Sequence, residues 1–93
     1  MEINLNQVPQ GSTVYTNSNY SPKKTVNKII PSCDCMTAKY DEKHKIIRLS
    51  YKANKLSPQV LENQGYQEIY KFLTIHFNDG NTERINIKGK IIQ

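Results

Sequence analysis

Alternation of apolar and polar positions marks the second half of the chain as two β-strands. Residues 68–77 repeat with a period of two and place one apolar face at Ile69, Leu73, Ile75 and Phe77. Aromatic residues on the opposite face favour a central strand over an edge strand. Residues 82–92 alternate in the same way, with one buried face. Because the turn sequence Asn-Asp-Gly-Asn at 78–81 tolerates positive φ, the two strands are predicted to form a hairpin.

The pattern upstream predicts further short strands. Residues 45–54 alternate clearly, and a polar turn precedes them at 41–44. Residues 23–30 form a candidate strand with Val26 and Ile30 on one face, and it ends at Pro31, which lacks a backbone donor.

Weaker alternation over residues 2–8 and 12–17 precedes a cluster of turn-forming residues at 17–22. The connection at 55–67 can hold one short helical turn, with Ser57 as its cap and Pro58 at its first position. Short strands separated by regular turn signals predict an all-β sandwich.

The length of 93 residues fits a single domain spanning residues 1–93. No apolar run approaches the roughly 20 residues that a membrane helix needs. The first ten residues lack a basic start followed by an apolar stretch, so no signal peptide is predicted. A cytoplasmic protein and a mature exported domain are both compatible with this sequence.

The net charge of +5 raises the question of a nucleic-acid partner. The lysines are scattered singly, and the only adjacent pair is Lys23–Lys24. No basic helix and no arginine-rich run occurs, so a nucleic-acid partner is not favoured. Solvated lysines on sheet faces and edges are the simpler interpretation.

The two cysteines, Cys33 and Cys35, are the residues with the most distinctive spacing. A disulfide between them requires the chain to turn at Asp34. Two free, half-buried thiols are an equal alternative. A soft metal ion such as copper or zinc, shared with His44 or His76, is a weaker one, because zinc sites normally use wider spacing and a second pair.

No arrangement of residues indicates catalysis. The carboxylates are scattered over turns and strand ends, and the Asp34 carboxylate disfavours a thiolate beside it. A nucleophilic cysteine needs a base or a positive environment, which the sequence does not place near it. We therefore predict no catalytic residue, no cofactor and no enzyme activity.

Two segments resemble a bacterial domain of unknown function. They are TNSNYSPKKTVNKIIPSCDCMTAKY (16–40) and GYQEIYKFLTIHFNDGNTERINIKGKI (65–91). The family pattern includes Ser-Cys-Gly-Cys-Thr, followed by Gly-x-Phe, an asparagine at a strand end and a closing Ile-x-Gly-x-Val. The family is similar to the Hydin-type (ASH) and major-sperm-protein-like immunoglobulin folds. The positions that match this pattern are Asn17, Ser32, Cys33, Cys35, Gly65, Asn78 and Gly89.

The sequence departs from the family pattern at three positions. Asp34 replaces a glycine, Met36 replaces a threonine, and Tyr66 stands for a phenylalanine. The glycine matters most, because it could serve a turn with positive φ. The segment before residue 16 is short for the first strands of the fold, which leaves open an incomplete N-terminal edge.

The resemblance implies an immunoglobulin-like antiparallel β-sandwich of about seven strands. It also implies an export signal or lipoprotein anchor in full-length members, and hence the periplasm or the outer membrane. We therefore expect a non-enzymatic binding or scaffolding module of the bacterial envelope, present as a monomer or weak oligomer. Its expected partner is a protein or another envelope component. The expected contact surface is the connection at residues 55–67. The alternative is a thiol-based redox accessory or a copper- or zinc-binding domain that uses Cys33 and Cys35.

Overall fold

Seven β-strands and one short helix pack as a two-layer sandwich. The computed structural model describes all residues, 1–93. In chain order the elements are β1 (Glu2–Pro9), β2 (Thr13–Asn19), β3 (Val26–Pro31), β4 (Met36–Asp41), β5 (Ile46–Lys52), α1 (Pro58–Asn63), β6 (Tyr66–Phe77) and β7 (Thr82–Ile92).

The two sheets contain four and three strands. The larger has the order β1-β7-β6-β3, and the smaller has the order β2-β5-β4. The prediction of an all-β sandwich of about seven strands is confirmed. The prediction that all strands pair antiparallel is wrong for one pair, because β1 runs parallel to β7. Two strands far apart in sequence can pair in either direction, since no short turn fixes them.

The β6–β7 hairpin forms as the alternation predicts. The strands pair from Tyr66 opposite Ile92 to His76 opposite Thr82. Gly80 lies in the connecting turn with a φ of 87°, which a residue without Cβ adopts at no steric cost. β6 lies between β7 and β3, so its prediction as a central strand is confirmed.

The core lies between the sheets and is built by alternate residues of each strand. The central strands β6, β7 and β5 supply its fully buried side chains, which are Ile47, Ile69, Leu73, Ile75, Ile85 and Ile87, and β1 adds Val8. The buried residues are all apolar or tyrosine, and no charged side chain is among them. The outer faces of both sheets are therefore left to polar, charged and partly exposed aromatic residues.

The predicted faces of β3 are wrong at Ile30. Val26 lies opposite Phe77, but Lys28 lies opposite His76, so β3 contains one extra residue between these two pairs. Such a bulge reverses the alternation that follows it. Ile29 consequently packs against the core, whereas Ile30 points outward and is 44% exposed.

The boundaries of two turns also differ from the prediction. β2 continues to Asn19, so Asn17–Asn19 are strand residues and the turn begins at Tyr20. β3 begins only at Val26. The turn predicted at 41–44 lies one residue later and ends at Lys45, whose φ is 56°. Asparagine and serine occur in turns and edge strands alike, which explains the first of these shifts.

The helical turn predicted in the 55–67 connection is confirmed as α1. The Ser57 side chain accepts a hydrogen bond from the Val60 N–H at 3.3 Å, and Pro58 is the first helical residue. Gly65 follows the helix with a φ of 76° and donates its N–H to the Val60 carbonyl at 2.8 Å. With six residues in α1, the structure contains no helix long and apolar enough to cross a membrane.

Candidate functional site

A disulfide joins Cys33 and Cys35 at the point where the chain crosses from one sheet to the other. The two Cα atoms are 5.2 Å apart. Both residues are half-buried and pack against the core. The Cys35 carbonyl accepts a hydrogen bond from the Lys52 N–H at 2.8 Å, which extends the pairing of β4 with β5. Of the three states that the sequence left open, the structure contains the oxidised one.

The chain turns at Asp34, as a disulfide between these cysteines requires. Asp34 is exposed and lies in a turn, and its φ is not positive. The glycine of the family pattern is therefore not needed at this position. The preceding residue, Ser32, fixes the start of the crossover by exchanging two hydrogen bonds with Phe72. Its N–H donates to the Phe72 carbonyl at 2.9 Å, and its Oγ accepts from the Phe72 N–H at 3.0 Å.

The other motif residues lie apart from the disulfide and have local structural roles. Asn17 is exposed on β2, and Asn78 follows β6 and donates its N–H to the Thr25 carbonyl at 3.0 Å. Gly65 follows α1. Gly89 lies on β7 where β1 approaches closely, and a Cβ at this position would be 3.1 Å from the Asn6 carbonyl oxygen. These residues do not form one site.

Neither histidine lies beside the cysteines. His44 is in the β4–β5 turn, and the six residues of β4 separate it from Cys35 by about 20 Å. His76 pairs with Lys28 near the other end of β3. No group of three or more histidine, cysteine, aspartate or glutamate side chains is positioned to hold a metal ion.

Asp41 instead organises the β4–β5 turn through its carboxylate. Arg48 donates to Asp41 Oδ2 at 2.8 Å, and His44 contacts the same oxygen through Nδ1 at 2.8 Å. The His44 N–H also donates to Asp41 Oδ1 at 3.1 Å. The hydrogen bond from Arg48, followed by those from His44, lowers the pKa of Asp41 well below its usual range. The cluster is exposed and closes a turn.

The edge of β2 has unpaired backbone groups. β2 pairs only with β5, and its other side has no neighbouring strand. Tyr20 donates its N–H to the Lys45 carbonyl at 2.8 Å, and Ala53 donates to Ser12 at 2.9 Å, so the even-numbered residues of this segment bond to β5. Because antiparallel strands alternate their bonding side, the odd-numbered residues point their N–H and C=O groups to the free edge. These residues are Thr13, Tyr15, Asn17 and Asn19.

The other three edge strands carry features that discourage pairing with another chain. β1 has a register shift between Asn4 and Gln7. β3 is also shifted in register and ends in Pro31, and β4 contains Lys39. Bulges, prolines and lysines are the usual protection of sheet edges. β2 has the sequence Thr-Val-Tyr-Thr-Asn-Ser-Asn, with no charge, no proline and no shift in register.

The outer face of the four-stranded sheet carries a row of aromatic and cationic side chains. The Arg84 guanidinium lies over the Phe72 ring, 3.9 Å from its centroid. The Lys90 ammonium lies over the Tyr66 ring at 4.6 Å. Tyr70, between these two rings on β6, is 71% exposed. The register places Lys88 directly opposite Tyr70.

Comparison with known proteins identified no relative, because no family model, curated protein or solved structure matches this chain. The structure by itself shows a two-sheet, mostly β domain with a Cys33–Cys35 pair. The comparisons do not assign the chain to the family that its motifs resemble.

Sequence reasoning missed both the β2 edge and the aromatic–cationic row. A signal for the row was present, since Tyr66, Tyr70 and Phe72 share one face of β6 in the alternating pattern. The cations on β7 alternate with the same period, so pairing the two patterns across the hairpin would have brought them together. The β2 edge needed the strand order, which the pattern of one strand does not contain.

Proposed function

We propose that the protein is a non-enzymatic binding module of the bacterial cell envelope, which binds an extended segment of a protein partner along the edge of β2. The unprotected edge is the observation that carries this proposal. A partner strand added there gains main-chain hydrogen bonds from alternate residues of β2. The exposed side chains of Tyr15 and Asn17 can then distinguish one partner sequence from another.

The disulfide supports the envelope location. Disulfides persist in the periplasm and outside the cell, whereas cytosolic thiols are kept reduced. Cys33 and Cys35 are bonded to each other and are the only cysteines of the chain. A cytoplasmic location is the alternative, and it predicts two free thiols in protein isolated under alkylating conditions.

Selection of peptides from a random library tests the proposed edge. Peptides that bind by strand addition are expected to lose affinity at least tenfold for Asn17→Pro, because proline removes an outward N–H. This substitution leaves the hydrogen bonds to β5 in place, since the bonded residues of β2 are the even-numbered ones. Circular dichroism and thermal unfolding check that the variant retains its fold.

A matched substitution on another edge provides the control. Ala38→Pro removes an N–H on β4 that points away from β5, because the Lys52–Cys35 bond assigns the odd residues of β4 to that pairing. Peptide binding is expected to be unchanged in this variant. Peptides that bind wild type and Asn17→Pro equally well would contradict the β2 proposal.

The connection at 55–67 stays a predicted contact surface, and alanine substitutions in α1 test it separately in the same assay.

The disulfide favours a second candidate function, in which Cys33 and Cys35 take part in thiol–disulfide exchange. The bonded pair is half-buried and adjoins an exposed turn, so an incoming thiolate can approach it. Two substrate thiols would be oxidised to a disulfide while the Cys33–Cys35 bond is reduced to two thiols. Equilibration with reduced and oxidised glutathione, followed by alkylation and mass measurement, gives the reduction potential. A pair with a reduction potential below about −300 mV that fails to oxidise a dithiol peptide would exclude this role.

A further inference from the structure

We propose that the outer face of the four-stranded sheet binds an acidic polysaccharide. The site combines the exposed Tyr70 ring, the cations of β7 and a polar groove beside β1. It lies on the sheet opposite to β2, and the inference does not depend on strand addition at the β2 edge.

Of the three aromatic rings in this row, Tyr70 is the one that no cation covers. Arg84 and Lys90 each cover one neighbouring ring from a diagonal position across the hairpin. The equivalent diagonal position for Tyr70 is occupied by Asn86, which has no charge. The ring therefore stays 71% exposed. The C–H bonds on one face of a sugar ring pack well against such an aromatic surface, as other apolar groups do.

A groove next to this ring is lined by amide groups. It has a volume of about 510 Å³ and lies beside the register shift of β1 between Asn4 and Gln7. Its lining includes the amides of Asn4, Asn6 and Gln7, the two cations Lys88 and Lys90, and one carboxylate, Glu68. An amide offers both donors and acceptors, which suits the hydroxyl groups of a sugar. No apolar side chain lines the groove.

The charge of this face fits an acidic ligand. The cations that the register assigns to it are Lys28, Arg84, Lys88 and Lys90, and its carboxylates are Glu2 and Glu68. Lys88 already pairs with Glu2 at 3.1 Å, whereas no carboxylate lies within 4 Å of Arg84 or Lys90. An arginine that meets a carboxylate or sulfate of the ligand can form two parallel hydrogen bonds with it.

The dimensions favour a polymer over a small molecule. Arg84 and Lys90 are six residues apart on β7, a distance of about 20 Å along the strand. The face between them is exposed at Tyr70, Asn86 and Lys88. A chain of several sugars can therefore place one ring on Tyr70 and its acid groups beside the cations on either side.

Single-stranded nucleic acid fits the same face less well. Proteins that bind it without sequence preference stack successive bases on several open aromatic rings. Here two of the three rings in the row are covered by cations. The amide-lined groove also matches a ligand rich in hydroxyl groups.

Isothermal titration calorimetry with polygalacturonate, heparin, neutral dextran and a 20-nucleotide oligothymidylate tests the proposal at low and physiological salt. Wild-type protein is expected to bind at least one of the acidic polysaccharides and not dextran. Tyr70→Ala is expected to weaken this binding at least fivefold. Tyr15→Ala is the matched control, because Tyr15 is 82% exposed on the opposite sheet, and its binding is expected to be unchanged.

Three results would overturn the proposal. One is the absence of binding to both acidic polysaccharides at low salt. A second is equal loss of binding in Tyr70→Ala and Tyr15→Ala, or no loss in either, which would indicate general attraction of a basic protein for polyanions. The third is tighter binding of the oligothymidylate than of either polysaccharide, which would assign the face to nucleic acid.

Discussion

The Tyr20 hydroxyl donates a hydrogen bond to the Glu83 carboxylate and so joins the two sheets at one end of the sandwich. Tyr20 directly follows β2 in the smaller sheet, whereas Glu83 lies on β7 in the larger one. Tyr40 completes the contact. Its ring packs edge-on against Tyr20 with centroids 5.9 Å apart, and its hydroxyl donates to the Tyr20 carbonyl at 2.8 Å. Burial, followed by the bond to Glu83, raises the pKa of Tyr20 well above its ordinary value of 10.0.

This contact predicts loss of stability at alkaline pH. In the unfolded chain Tyr20 ionises near pH 10, whereas the fold holds its proton to higher pH. The unfolded state then binds fewer protons than the native state, so the free energy of unfolding falls as the pH rises above 10. Tyr20→Phe is expected to lose about 1 to 2 kcal/mol at pH 7 and to show a shallower alkaline decline. Urea unfolding between pH 7 and 11 measures both.

The alkaline prediction has a matched control in Tyr15→Phe, which removes a hydroxyl from an exposed ring. Its unfolding profile is expected to follow that of wild type throughout. If Tyr20→Phe also keeps the wild-type slope above pH 10, the link between Tyr20 and Glu83 does not determine alkaline stability.

The hydrogen bonds to the Asp41 carboxylate predict that the protein loses stability at acidic pH. Its folded pKa lies below the unfolded value of 3.8, because Arg48 and His44 donate to the carboxylate. The stabilisation is therefore present above the unfolded pKa and is lost as the pH falls through the folded one. Asp41→Asn is expected to reduce stability at pH 6 and to flatten the decline below pH 4. Thermal unfolding across pH 2 to 6 measures this change in stability. Asp34→Asn is the control for the loss of one surface carboxylate. A decline in stability below pH 4 that is as steep in Asp41→Asn as in wild type would contradict the prediction.

The disulfide is expected to contribute little to global stability. It joins residues two positions apart, and so small a loop removes little entropy from the unfolded chain. Reduction, or the double substitution Cys33→Ser/Cys35→Ser, should cost about 1 to 2 kcal/mol. Ile85→Ala, which empties a fully buried position, should cost about 2 to 5 kcal/mol. Urea unfolding with and without reductant measures the two losses in the free energy of unfolding. The ranking would be contradicted if reduction of wild-type protein cost as much stability as the Ile85→Ala substitution.

A side chain at Gly89 is expected to destabilise the contact between β1 and β7. A Cβ there would lie 3.1 Å from the Asn6 carbonyl oxygen, 3.2 Å from Leu5 Cβ and 3.3 Å from Ile69 Cδ1. Gly89→Ala should therefore push β1 away from β7 and cost about 1 to 3 kcal/mol. Asn86→Ala, at an exposed position of the same strand, should change stability by less than about 0.5 kcal/mol. Equal stability of the two variants in thermal unfolding would show that β1 can move aside freely.

Local patterns were sufficient to predict the β6–β7 hairpin and the cap of α1. In the hairpin, alternation and turn residues agree over neighbouring segments, so the register follows from the turn at Gly80. Ser57 and Pro58 similarly act within one helical turn. Each of these structures depends on residues close together in sequence.

Features that depend on distant partners could not be predicted in the same way. The bulge of β3 is one inserted residue relative to β6, and only the pairing with Phe77 and His76 reveals it. The parallel pairing of β1 likewise depends on β7, more than seventy residues away. The state of the cysteines needed the backbone turn at Asp34, because spacing alone permits both a disulfide and free thiols.

The pairing of β1 with β7 also sets the order in which the chain can complete its fold during synthesis. Ile3 pairs with Ile87, so β1 has no partner until nearly the whole domain has left the ribosome. At about 5 to 20 residues per second, this strand waits roughly 4 to 17 seconds without its native neighbour. During that interval the larger sheet lacks β7, the strand that lies between β1 and β6, and the chain stays accessible to chaperones.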